Sequence, residues 1–308
     1  MIARTRVLLT FDVEDTKSPD AFRAISMFLS ILERNGLSGI FFITGEMAAR
    51  LKLDNHIVER LRNHEIGYHS AIHSARPTMV ELLDLRNFSD AVQKSRRIET
   101  ETGALRNLRL LFGADVTKFR APRMCWNPAH MVALRELGIE CDFSADFSED
   151  VVQSGGIVFF PYPVWADRIL SPVTWARFFI KLVRGSMMVV ALHPSMTLYR
   201  GVWDWESMTT KMGTLERQKP ASSLRVAARI VLYRIFFGLI RICENLGLID
   251  THNTIPEVVE SLTSDNLQPS RVYRAAVYPS LLYTNYLPKH WLSQLEAFIQ
   301  SSTSAIST

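Results

Sequence analysis

"RVLLTFDVED", residues 6–15, decides how the rest of the chain is read. From Arg6 to Asp12 it is an unbroken apolar run that ends in a carboxylate. A strand apolar on both faces is one buried on both sides, as in a parallel sheet covered by helices. Three carboxylates, Asp12, Glu14 and Asp15, then crowd its C-terminal end. An unpaired charge at the end of a buried strand is costly, so Asp12 needs a cation beside it.

The pattern outside this stretch repeats the theme. Ser18-Pro19 offers a helix start, and Phe22, Ile25, Phe28, Leu29 and Leu32 recur at helical spacing up to Gly36. "SGIFFIT" (38–44) and "EIGYH" (65–69) read as the next strands, with helical patterns at 53–63 and 78–102. "KFRAP" (118–122), "ECDFS" (140–144), "GIVFFPY" (156–162), "SMMVVALH" (186–193) and "LGLIDT" (246–251) read as further strands, and Asn127-Pro128 starts another helix. Strands alternating with helices predict right-handed βαβ units and a mainly parallel sheet or barrel. The expected division is a barrel over residues 1–263 and an appended extension over 264–308, where tyrosine, proline and serine accumulate.

Composition narrows the class. At 47% apolar and 21% charged residues, the chain of 308 can bury a large core and is not disordered. The net charge of +4 is spread over scattered arginines without a basic run, and no nucleic-acid motif is present. Cys125, Cys141 and Cys243 are too few and too far apart for a disulfide framework or a CxxC metal site, so free thiols are expected. The first residues do not read as a signal peptide. No run of 18 or more apolar residues predicts a spanning helix.

The chemistry-bearing groups share one placement. Asp12 with Glu14 and Asp15, His69 with His73, Arg120, Asp142 with Asp146, and His193 all fall at or just past the C-terminal ends of the expected strands. That edge is where α/β barrels gather catalytic groups. "HSAIHS" (69–74) sets two imidazoles four apart, facing one way if the loop coils into a helical turn. Two imidazoles and a carboxylate suit zinc or a similar divalent ion. Glu14 lies on the same side as Asp12 if strand geometry persists, whereas Asp15 swings in if the chain turns at once. Arg120 would hold Asp12 ionised as a general base, and His193 would serve as general acid.

"LTFDVED", "HSAIHS", "FRAP", "CDFSADF" and "VVALHPS", in that order, resemble the five motifs of the polysaccharide deacetylases, the NodB-homology carbohydrate esterases of family 4. The resemblance implies a distorted (β/α) barrel, often of seven strands, and metal-dependent removal of an acyl group from a sugar. It implies that Asp12 is the base, Arg120 its partner, His69 and His73 metal ligands, and His193 the acid. It further implies that Asp146 orients His193, with Asp142 competing for that role, and that the turn at Pro122 and Arg123 helps bind the oxyanion. Val13 departs from the family's usual pair of adjacent aspartates, which leaves the metal carboxylate open between Glu14 and Asp15. Other readings of the same fold are an amidase for a small C–N bond and a non-catalytic carbohydrate- or lipid-binding relative.

Two segments bear on the partner. Ser222 to Gly247 is apolar nearly all round yet carries Arg225, Arg229, Arg234 and Arg241, and Trp175 to Gly185 mixes aromatic and basic residues in the same way. Such helices either pack on both sides or lie in a membrane interface. Without an export signal, this resembles the branch of the family that acts on lipid-linked sugars at the cytoplasmic leaflet. A polyprenyl phosphate-linked N-acyl sugar and a peripheral position on the inner face of the membrane are therefore expected.

Overall fold

The computed structural model describes residues 4–73, 88–124, 128–144, 151–154, 157–184, 187–199 and 220–251. The chain forms two compact units, one drawn from Met1–Ile66 and Pro163–Asn253, the other from Gly67–Tyr162 among the described residues. The fold is α/β, of the distorted (β/α)-barrel class, with parallel strands and intervening helices. Every apolar run read as a strand is one.

In the first unit, β1 (Thr5–Val13) is the central strand. β2 (Ile40–Ile43) and, at its start, β10 (Ile249–Asp250) pair with it in parallel, as does β9 (Met188–Leu192). β8 (Val164–Trp165) lies beyond β9. The run from Val7 to Val13 is buried throughout, as its lack of alternation requires. Phe11 stacks on Phe41 at 4.6 Å and meets Phe28 at 5.7 Å. Phe28 lies on α1 (Ala21–Asn35), and Tyr233 on the long helix Ser223–Asn245 closes over it at 5.0 Å. Gly39 must be glycine here, because a Cβ would stand 2.6 Å from the Phe11 ring.

Local signals set the helix boundaries. α1 ends at Gly36, whose φ of 60° lets its N–H reach back to Glu33 and Leu32. Ser18-Pro19 precedes the helix, but Asp20 occupies the cap position. Two short helices, α2 (Gly45–Leu51) and α3 (Asn55–Leu61), follow β2. The Thr44 and Asp54 side chains cap them by accepting from Met47 and Ile57 N–H.

β3 (Glu65–Tyr68) leads from the first unit into the second. There its end pairs in parallel with β4 (Lys118–Phe119), β4 with β5 (Cys141–Asp142), and β5 with β7 (Ile157–Phe159). The short β6 (Val152–Ser154) runs antiparallel to β7. The helix expected over 78–102 is described from Phe88 to Thr102. Gly103, at φ 57°, separates it from a further helix, Ala104–Phe112, that the sequence reading did not anticipate. Pro128–Glu136 is the helix begun at Asn127-Pro128. A buried network joins these layers: Glu99 accepts from the Tyr68 hydroxyl at 2.7 Å and contacts His130 Nε2 at 2.8 Å.

Cys141 is buried and Cys243 half-buried, both as free thiols. Cys125 and the extension at 264–308 lie outside the described residues. Among the described residues, no helix is long and apolar enough to cross a membrane.

Candidate functional site

Parallel pairing makes the first half of the site. Phe11 is in register with Leu192, so Asp12 on β1 and His193 just past β9 end side by side. His193 Nε2 lies 3.6 Å from Asp12 Oδ2 and 3.7 Å from Glu14 Oε1. Strand geometry therefore persists to Glu14, which shares a side with Asp12. Both carboxylates are buried, 3% and 1% exposed. Asp15 behaves differently. Its Oδ1 accepts from the Lys17 and Ser18 N–H groups at 3.1 and 2.9 Å, an Asx-type turn that carries the chain toward α1. Its Oδ2 is buried without a hydrogen bond.

The carboxylate that orients His193 is one the sequence reading missed. Asp167 Oδ2 sits 2.7 Å from His193 Nδ1, and its Oδ1 accepts the His193 backbone N–H at 2.6 Å. Two bonds to one residue fix both the backbone and the ring, and they leave Nε2 turned to Asp12 and Glu14. Asp146, expected in this role, lies outside the described residues. Asp142, its competitor, belongs to the second unit and is committed to Ser144.

Charge is concentrated at this imidazole. Burial works against its protonation, but Asp167, Glu14 and Asp12 outweigh it and push the pKa up to about 10. The surrounding carboxylates thus favour the protonated ring. Trp165 stacks against it at 5.3 Å and 11° from the neighbouring strand β8.

The long helix Ser223–Asn245 supports the loops behind these groups. Buried Arg229 donates to the carbonyls of Met196, Thr197 (3.2 Å) and Tyr199 (2.7 Å), in and just after the 3-10 turn Pro194–Thr197 that follows His193. Tyr233 donates to the Ala166 carbonyl at 3.2 Å, one residue before Asp167. A shallow depression is lined by Asp12, Glu14, Asp15, Met47 and Ser195.

The second unit holds the histidines. His69 and His73 are both buried, with ring centroids 5.3 Å apart. They are not on a helical turn. The segment is a bend in which Ser70, buried, adopts φ 67°, a left-handed conformation that an L-residue enters at a cost of about 1–2 kcal/mol. His69 Nδ1 lies 2.7 Å from the Arg120 carbonyl, so Nδ1 carries the proton and Nε2 presents its lone pair. That is the tautomer a metal ligand needs.

Arg120 is fully buried at the end of β4, its Nε donating to the Phe143 carbonyl at 3.3 Å. The loop after it hangs from β5. Ala121 N–H donates to Ser144 Oγ at 2.6 Å, and Ser144 Oγ pairs with Asp142 Oδ2 at 2.9 Å. Pro122 and Arg123 open a 3-10 turn, Pro122–Met124, in which Met124 has φ 58°.

Asp142 itself yields a prediction. Burial raises its pKa from 3.8 to about 7, against the Ser144 hydrogen bonds and the nearby Arg120 and His130 charges. A folded-state value above the unfolded one means that the folded chain binds the extra proton. The resulting stability is complete below about pH 4 and is lost as pH rises through 7, at roughly 1.4 kcal/mol per pH unit between the two values. Asp142→Asn removes this dependence, so the variant gains thermal midpoint over the parent from pH 5 to pH 8. A midpoint difference that is constant with pH would refute the assignment.

Comparison with known proteins follows the same lines. A family model described as polysaccharide deacetylase matches residues 3–141, a range that includes Asp12, Glu14, His69, His73 and Arg120 but ends before Asp167 and His193. No curated protein matches the sequence. Among solved structures, a protein from Mycobacterium smegmatis assigned as a polysaccharide deacetylase superposes with a TM-score of 0.58 at 17% identity. The match covers 87% of this chain and 93% of that one. The 4-alpha-glucanotransferase from Thermococcus litoralis superposes with a TM-score of 0.50 at 17% identity, over 84% of this chain and 41% of that one. At such identity these likenesses establish the fold alone.

Proposed function

We propose, from the match of residues 3–141 to a family model described as polysaccharide deacetylase, that the chain is a metal-dependent hydrolase that removes an N-acyl group from a sugar. The observation that supports it most directly is His193 held between Asp167 on one nitrogen and the Asp12 and Glu14 carboxylates on the other. A structural histidine does not need three buried acids.

Glu14, His69 and His73 would hold the ion. All three are buried, and each offers one ligand atom of the kind zinc takes. The proton on His69 Nδ1, given to the Arg120 carbonyl, is the support that a ligating imidazole normally has. When bound, a divalent ion polarises the acyl oxygen and acidifies water. The protein's own groups do the rest. Asp12 takes the proton of the attacking water as its oxygen bonds to the acyl carbon, with Arg120 as its cationic partner. The backbone N–H of Arg123, just after Pro122 in the turn, stabilises the oxyanion. The C–N bond breaks as His193 gives its Nε2 proton to the leaving nitrogen, releasing an amine and a carboxylate.

Within this class the substrate is an acetylated or formylated amino sugar carried on a polyprenyl phosphate, met at the inner face of a membrane. Its support is the pair of apolar, arginine-bearing helices of the first unit. The test is acyl release from N-acetylated glucosamine oligomers, free and lipid-linked, after chelation and reloading with zinc, cobalt or manganese. Activity lost with the chelator and restored by an ion is the expected result. No release with any ion, alongside retained sugar binding, would favour a non-catalytic carbohydrate-binding protein.

A further inference from the structure

The helices Pro172–Arg184 and Ser223–Asn245 meet in the first unit through aromatic rings, Phe178 and Trp175 standing 4.9 and 5.5 Å from Phe236. Each buries one stripe: Phe178 on the first, and Arg229, Tyr233, Phe236 and Phe237 on the second. Each turns a second stripe outward. Val173, Ile180 and Val183 are 57%, 52% and 86% exposed, and Val231 and Ile235 are 52% and 48% exposed. These recur at three, four and seven residues, so they form continuous stripes and not scattered exposures.

An outward stripe on a helix of a water-soluble domain is ordinarily polar. Here the only charges on it are cations. Arg177 on the first helix and Arg234 on the second are exposed beside these apolar side chains. No acidic residue occurs over 172–184, and the single one over 223–245, Glu244, accepts from Arg241 and Thr251.

We propose that this two-helix face docks on the surface of an anionic lipid bilayer, its apolar side chains entering the acyl boundary and its arginines meeting the headgroups. Charge complementarity selects this occupant. A second copy of the chain would bring like-charged faces together in a two-fold contact, where the arginines repel. A zwitterionic surface would leave the arginines without counter-charge. Neither helix meets the length and hydropathy for crossing, so the face lies on the membrane and does not span it. The inference deepens the lipid-linked part of the proposed function and rests on it only for its purpose, because docking is read without substrate.

The experiment is co-sedimentation of the full chain with vesicles of phosphatidylcholine alone or mixed with phosphatidylglycerol, at low and high salt. Binding to the mixed vesicles, incompletely reversed by salt, is expected. Headgroup attraction is screened within about 8 Å at physiological ionic strength, but apolar contact is not. Arg177→Ala and Arg234→Ala should each weaken binding about fivefold. Val183→Asp with Ile235→Asp should remove the salt-resistant part. These side chains are exposed, so an unchanged thermal midpoint separates lost docking from lost fold. The proposal is overturned if the parent stays in the supernatant at low salt, if it binds both vesicles equally, or if these variants bind like the parent. Light scattering that shows a dimer split by Val183→Asp would assign the face to a second copy instead. A protein that hydrolyses a soluble N-acyl sugar yet ignores vesicles fails this inference and leaves the deacylase reading intact.

Discussion

His73→Ala is expected to purify without a divalent ion and to release no acyl group, while its thermal midpoint stays near that of the parent. The imidazole is buried beside His69, and the other histidine described in its unit, His130, is engaged with Glu99 through Nε2. With two ligands left, a zinc-type site no longer has the three protein donors that hold the ion and leave a position open. His69→Ala should lose the ion as well, but its fold should suffer more. It removes the donor to the Arg120 carbonyl, and a buried acceptor left unsatisfied costs about 1–3 kcal/mol. The two variants thus separate metal loss from structural loss. Metal content measured by atomic emission, set beside the melting curve, decides the matter: either variant with a full complement of ion and full turnover would remove both histidines from the site.

The uneven legibility of this site has physical causes. Asp12, Glu14 and His193 could be placed because each ends a strong apolar strand, and parallel strands bring such ends to one edge. His69 and His73 could be picked out by spacing, but not the conformation that presents them. A helical turn is the simplest way to align residues four apart, whereas the chain uses a bend with Ser70 left-handed, and nothing in a serine announces that. Asp167 escaped for another reason. It follows a strand of only two residues, Val164–Trp165, set between prolines at 161 and 163 and a 3-10 turn. No apolar run marks it. A usable signal was present all the same, a carboxylate two residues past a tryptophan in a chain that needed a partner for His193. The helices Gly45–Leu51 and Ala104–Phe112 were passed over because glycine opens one and precedes the other, where a helix more often stops. In the second unit, Asp142 was weighed for catalysis. Its place is structural: through Ser144 it suspends the loop that carries Arg120 and Pro122.

Asp12→Asn is expected to keep its ion and lose turnover, by about 10²–10⁴-fold, the usual worth of a positioned general base. The substitution preserves shape and one acceptor oxygen but cannot take a proton from the attacking water. It also withdraws one of the three negative charges around His193. That loss is not the main effect, because Asp167 stays bonded to Nδ1 at 2.7 Å and Glu14 remains 3.7 Å from Nε2. The two roles are separable by leaving group. An amide nitrogen departs only when protonated, so the N-acyl sugar needs both base and acid. A 4-nitrophenyl ester departs without that proton but still needs the attack. Asp12→Asn should therefore be damaged alike on amide and ester, whereas His193→Ala should be far worse on the amide than on the ester. His193→Ala also frees the Asp167 side chain from the ring, so Asp167→Asn, which leaves the imidazole in place but weakens its hold, should fall between the two on the amide. If Asp12→Asn hydrolyses the ester at the parent's rate, the base lies elsewhere. If His193→Ala loses amide and ester equally, the imidazole orients the carboxylates and donates no proton to the departing nitrogen.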